Sequence, residues 1–151
     1  LCFLYEAQRH SEVSTVVLRE RRYHVAVAPG HPLAARDAVR VADLEPHPCA
    51  VLNVEPASYL NEAMLRRCGI TPNVVYRSAN VLTIRSLVGR GLAWALLMEE
   101  VPASHDGRPL RFLPVLDDLG TNSVLAGLPQ GVRPSPLTTA VIEHCRSVLA
   151  R

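Results

Sequence analysis

A chain of 151 residues, 48% of them apolar, with a formal charge of +2, can bury the core of one globular domain or of two small lobes. Its apolar runs are short and broken by Arg, Pro or Gly, which excludes a membrane-spanning helix, and no basic segment leads into an apolar one at the start, so no signal peptide is visible. All sixteen basic residues are Arg; they are scattered, and the tightest groups (Arg19, Arg21, Arg22 and Arg66, Arg67) have acidic or apolar neighbours and few aromatics, which argues against nucleic-acid contact by this segment itself.

The chain opens at Leu1, already inside an apolar run, and reads as a piece of a longer protein. Leu1–Tyr5 is uniform enough to predict a strand covered on both faces. Glu6–Ser14 is a polar connection. Thr15–Leu18 and Tyr23–Ala28 predict two strands, with the charged run Arg19–Arg22 as a solvated crossover between them. Tyr23, Val25 and Val27 alternate with His24, Ala26 and Ala28, and the Pro29-Gly30 turn signal followed by His31-Pro32 ends that strand sharply. Asp43 is placed to cap a single helical turn. Cys49–Leu52 predicts a buried strand, and Ala57–Cys68 a helix with Leu60, Met64, Leu65 and Cys68 on one face, closed by Gly69. Val74–Tyr76 predicts another strand, and Ser78 or Asn80 caps a helix whose stripe is Val81, Leu82, Ile84, Arg85, Leu87 and Val88. Leu92–Leu97 is a further buried strand. Strand, helix, strand, helix, strand with short links is the signature of a parallel α/β sheet. Leu110–Val115 and Ser123–Leu128 are strands about the acidic turn Asp117-Asp118. A last helix starts at Pro136, with Leu137, Val141, Ile142, Cys145 and Leu149 on one face.

Several groups invite a chemical reading and do not support it. Cys2, Cys49, Cys68 and Cys145 lack C-x-x-C or zinc-ligand spacing and read as buried free thiols, a pattern suited to the cytoplasm. Gly89-Arg90-Gly91 follows a helix and opens a strand, the reverse of a phosphate loop, so it reads as a C-cap. The six histidines show no i, i+4 pair, and Glu99-Glu100 and Asp117-Asp118 read as solvated turn charges. No catalytic constellation, metal site or cofactor motif stands out. In a parallel α/β sheet, however, small ligands bind beyond the carboxyl ends of strands, where helix N-termini offer free N–H groups. Two such places are Asn53–Ser58 and Ser78–Asn80, each of which could equally be an ordinary N-cap.

Taken together these segments resemble the effector-binding domain of LysR-type transcriptional regulators. The resemblance rests on the first strand, on H-P-L-A at His31–Ala34, Asp43-Leu44, G-I-x-P at Gly69–Pro72 and L-V-x-x-G-L-x-x-A-L-L at Leu87–Leu97. Cys2, Ala93 and Met98 depart from the family pattern. The resemblance implies an α/β fold of two lobes, like a type 2 periplasmic binding protein, with the second lobe complete and the first partial. Residues 1–22 would be first-lobe strand and crossover, 23–109 the second lobe, and 110–151 the return crossover with first-lobe strand and C-terminal helix. It places the effector contacts at Glu6 and Ala7, at Pro56, Ala57 and Ser58, and at Ser78, Ala79 and Asn80. The implied function is small-molecule sensing, with DNA bound only through an N-terminal helix-turn-helix not present in this chain. The implied partners are a small effector, of which a carboxylate suits helix N-termini, and further copies in a homo-oligomer. The alternatives are a solute-binding protein or an enzyme on the same two-lobe fold.

Overall fold

The computed structural model describes residues 1–55 and 57–149, with Ala57 and Ser58 given by their helical backbone alone. In chain order its strands are β1 (Cys2–Tyr5), β2 (Val13–Arg22), β3 (His24–Val27), β4 (Pro48–Leu52), β5 (Asn73–Ser78), β6 (Ala95–Leu97), β7 (Arg111–Pro114) and β8 (Thr121–Pro129), and its helices are α1 (Ala57–Arg67), α2 (Val81–Gly89) and α3 (Pro136–Leu149). They form two compact units, the first made of Leu1–Arg22 with the chain from Thr121 onward, the second of Tyr23–Gly120.

In unit 1, β8 lies between β1 and β2 and is antiparallel to both. The charged run Arg19–Arg22 is not a crossover: β2 continues through it, pairing Arg19 with Val124 and Arg22 with Thr121 after a bulge at Val17/Arg19. An edge strand needs only one hydrogen-bonding neighbour, and charges along its free side discourage pairing with another chain. The opening apolar strand is likewise an edge strand; Phe3 is 55% exposed, so it is not covered on both faces. On one side of the sheet, Ile142, Cys145 and Leu149 of α3 pack with Leu18, Val124, Ala126 and Leu128. Leu137, 76% exposed, and Val141 fall outside that contact. On the central strand, a Cβ at Gly127 would sit 2.8 Å from each of Cys2 Sγ, Leu4 Cδ2 and Val13 Cγ1, so any larger residue there must push these side chains of β1 and β2 aside.

In unit 2, β3 is flanked by β6 and β7, both antiparallel to it, and β4 is parallel to β5. A parallel bridge between Cys49 and Trp94 joins the two groups, with the Ala50 N–H donating to Trp94 O (2.8 Å) and the Trp94 N–H to Pro48 O (2.9 Å). Both faces are covered. Val25, Val27, Leu96 and Trp94 pack with Met64 and Leu65 of α1, and Ala26, Ala95 and Leu97 pack with Ile84 and Val88 of α2. Strands buried on both faces lose the polar half of their alternation, which is why they read as continuous apolar runs. Because β7 pairs with β3, residues 110–120 lie in unit 2, and the chain enters unit 1 at Thr121.

The exit from β3 is set by His31, whose Nδ1 accepts the Leu33 N–H (3.2 Å) and so caps a short 3-10 turn over Pro32–Ala35. Its ring meets His47 edge-on at 4.6 Å, and burial, with His47 second, lowers its pKa. Gly91, with φ +73°, ends the α2 segment, while a Cβ at Gly89 would fall 2.9 Å from Arg108 Cβ. These glycines serve a helix end and a close approach, not a phosphate. All four cysteines are free, but only Cys49 is buried. Burial, reinforced by Glu62, pushes its thiol up to about 12, while Cys2 is exposed on its edge strand.

Candidate functional site

The parallel pair β4 and β5 end side by side, Leu52 opposite Ser78, and the Asn53 N–H donates to Ser78 O at 2.8 Å. Both predicted loops therefore leave the sheet of unit 2 at one end. After Ser78 the backbone stays extended at Asn80 (φ −107°, ψ 116°), whose Oδ1 accepts the Leu82 N–H at 2.8 Å and starts α2. Ser78 Oγ accepts the Asn80 N–H at 3.1 Å. These are capping bonds that engage the oxygens of Ser78 and Asn80 as acceptors and leave the Ser78 O–H and the Asn80 Nδ2 amide as donors. They also leave for a ligand the positive end of α2, where first-turn N–H groups lack intrahelical acceptors. Ser78 is half-buried, and Ala79 and Asn80 are exposed. Ala57 and Ser58 head α1, which follows β4; Pro56 lies outside the described residues. Glu6, exposed, and Ala7, half-buried, sit in unit 1 in a 3-10 turn after β1.

The same end of unit 2 carries a charged pair that periodicity does not reveal. The segment leading into β6 is parallel to β4, so the Glu99-Glu100 dipeptide just past Leu97 lies at the carboxyl end of the sheet. Glu99 Oε2 accepts from Arg85 Nη2 of α2 at 2.8 Å, and Glu100 Oε1 stands 3.3 Å from His24 Nε2 of β3. Arg85 is only 8% exposed, and its Nε and His24 Nδ1 are buried without hydrogen-bond partners. Glu99 and Glu100 are thus not merely solvated turn charges; they face the buried Arg85 and the half-buried His24. The signal was present in the sequence: Arg85 falls within the apolar stripe of its helix, and a cation in a buried stripe demands a carboxylate.

Other charged groups have structural duties. Asp106 accepts hydrogen bonds from Ser104 Oγ (2.7 Å), Ser86 Oγ (3.1 Å) and Arg90 Nη2 (2.8 Å), tying the end of α2 to the loop between β6 and β7. The Ser104 bond leads in holding its carboxyl down at about 2. Glu62 of α1 bonds Arg77 of β5, and that bond keeps its pKa low. Asp117 Oδ2 accepts the Val41 N–H at 2.7 Å. Among the described residues no three His, Cys, Asp or Glu side chains converge as metal ligands, and no helix is long and apolar enough to cross a membrane.

Comparison with known proteins gives this arrangement a context. The LysR substrate binding domain family matches residues 1–150. The C-terminal domain of a probable LysR family transcriptional regulator from Rhodococcus sp. RHA1 superposes on 95% of this chain with a TM-score of 0.86 and 33% identity, and the chain covers 72% of it. A putative LysR family regulator from Pseudomonas aeruginosa gives 0.90 at 24% identity over 99% of this chain, which spans about half (53%) of that protein's length. The BenM effector-binding domain with its effector benzoate gives 0.78 at 19% identity over 98% of this chain and 68% of that one, a likeness of fold. No curated protein sequence matches. The fold is that of the periplasmic-binding-protein-like effector domains, of which the chain is a part, and the family is one of transcriptional regulators rather than enzymes. The chain belongs to the LysR substrate-binding-domain family, the effector-sensing part of LysR-type transcriptional regulators.

Proposed function

We propose that this protein senses a small carboxylate through the strand ends of unit 2 and passes the signal to a DNA-binding helix-turn-helix outside this chain. The observation that carries the reading is the convergence of Asn53, Ser78 and the capped N-terminus of α2 at one end of the sheet. A helix N-terminus with its side-chain caps satisfied still presents positive potential and free N–H groups, which suits an anion. The benzoate bound by BenM supports the same ligand class. Ser78, Ala79 and Asn80, with Pro56, Ala57 and Ser58, are the proposed contacts in unit 2, and Glu6 and Ala7 those contributed by unit 1. The regulator acts in the cytoplasm as a homo-oligomer, and no turnover of the effector is involved.

Sensing requires the effector to bind one state of the regulator better than another; tight but equal binding shifts nothing. The test is operator binding by the full-length regulator, followed by fluorescence anisotropy across a panel of small metabolites. A carboxylate that changes operator affinity or the bend of the operator supports the reading. A panel without effect, on protein shown to bind its operator, overturns it.

A further inference from the structure

The Arg85–Glu99 pair combines features that an ordinary surface ion pair lacks. Arg85 is anchored in the second turn of α2, within the layer that packs on the sheet, and is 8% exposed. Glu99, by contrast, has a side chain 63% exposed and stands on the open stretch after β6. A buried guanidinium has lost its hydration and needs a carboxylate, and this one keeps a buried Nε with no partner. Guanidinium presents paired N–H donors that match a carboxylate two at a time, whereas Glu99 is bonded through a single nitrogen, Nη2. Arg85 is thus tied through one bond to a solvent-facing acid while its Nε stays without a partner.

The placement fits a ligand position. Helical side chains lean toward the helix N-terminus, so Arg85, five residues after the Asn80 cap, leans toward the end of the sheet where β4, β5 and β6 finish. We propose that Arg85 is an anion-binding residue whose site Glu99 fills in the absence of effector, and that a carboxylate ligand displaces Glu99 and takes both guanidinium donors. This rests on the effector-sensing reading above and adds to it the residue that recognises the carboxylate and an internal competitor for it. A tethered carboxylate competes at an effective concentration on the order of millimolar. A ligand held both by Arg85 and at the N-terminus of α2 outcompetes it through its second contact. Glu100, next to Glu99, stands 3.3 Å from the Nε2 of His24, the second residue of unit 2.

Chemical rescue tests this without knowing the effector. Glu99→Ala in the intact protein leaves Arg85 unpaired and lowers the melting temperature. Acetate and formate then restore it, chloride at equal ionic strength does not, and acetate binds roughly tenfold or more tighter than to the wild type, within the usual range of coupling between competing ligands. In the Arg85→Met/Glu99→Ala double variant the carboxylate effect disappears. If Glu99→Ala does not fold, Glu99→Gln, which keeps the shape and an acceptor, takes the same titration. The proposal is overturned if acetate and chloride act alike, if no carboxylate restores stability, or if rescue persists without Arg85. An operator response to a metabolite in a protein showing no rescue sinks the role of Arg85 and leaves effector sensing standing; rescue in a protein whose operator binding ignores every metabolite does the reverse.

Discussion

The two units are built from similar strands and differ in what covers them. In unit 2 a helix lies on each face of the sheet, and Trp94, Leu44, Leu65, Ile84 and Leu113 have almost no exposed surface. In unit 1 the buried apolar side chains among the described residues are Leu18, Leu125, Ala126 and Ile142, while Phe3, Tyr5, Val17 and Val148 stay exposed. The candidate site therefore stands on the unit whose packing fixes its backbone best, as recognition at the ångström scale requires. In this chain, which covers 72% of a related effector-binding domain, unit 1 has less burial to hold it and is expected to open first.

Removing a large side chain from the well-packed unit gives the largest effect. Trp94→Ala empties a fully buried site and leaves His47 O without its indole donor; a loss of about 3–5 kcal/mol is expected in urea titration. A cost no greater than that of an exposed substitution would erase the contrast between the units. Next comes the tightest point of unit 1. Gly127→Ala drives a methyl into Cys2, Leu4 and Val13, with an expected cost of ~1–3 kcal/mol and faster amide exchange confined to β1, β2 and β8.

Asp106→Asn is smaller and depends on pH. The folded carboxyl lies at about 2, below its ordinary 3.8, so the stabilisation it brings is present above about pH 4 and is lost as pH falls toward 2. The gap in melting temperature between wild type and variant should close over that window; a gap that widens in acid contradicts the assignment. Smallest of all, Leu137→Ala on the exposed side of α3 should change stability by no more than about 0.5 kcal/mol. A larger loss would mean that α3 buries more than Ile142, Cys145 and Leu149.

How much of this was legible from the sequence follows the same division. The strands of unit 2 and both its helices follow from local signals, because burial on both faces and helix capping leave direct marks in residue order; the cap was legible only as Ser78 or Asn80, and the strand read over Leu92–Leu97 is confined to Ala95–Leu97. The edge position of Leu1–Tyr5 and the continuation of β2 through Arg19–Arg22 do not, since an edge is defined by which strand pairs from more than a hundred residues away. At the site, residue order revealed the two strand-end loops, and pairing shows that they leave the sheet side by side. Arg85 and Glu99 are fourteen residues apart and meet only because α2 folds back across β6; the mark left in the sequence was the lone cation in an apolar stripe. Glu6 and Ala7 came from family resemblance alone, and their place in the other unit could not be read from spacing.

Hydrogen exchange on the intact protein, with and without a saturating small carboxylate chosen by its effect on melting temperature, tests the sensing role most directly. Binding at the strand ends of unit 2 predicts slowed exchange at Asn53, at Ala79–Thr83 and at Met98–Glu100, with β8 and α3 unchanged. Protection confined to α3 and β8, or none at the strand ends despite saturation, would place the ligand elsewhere and contradict it.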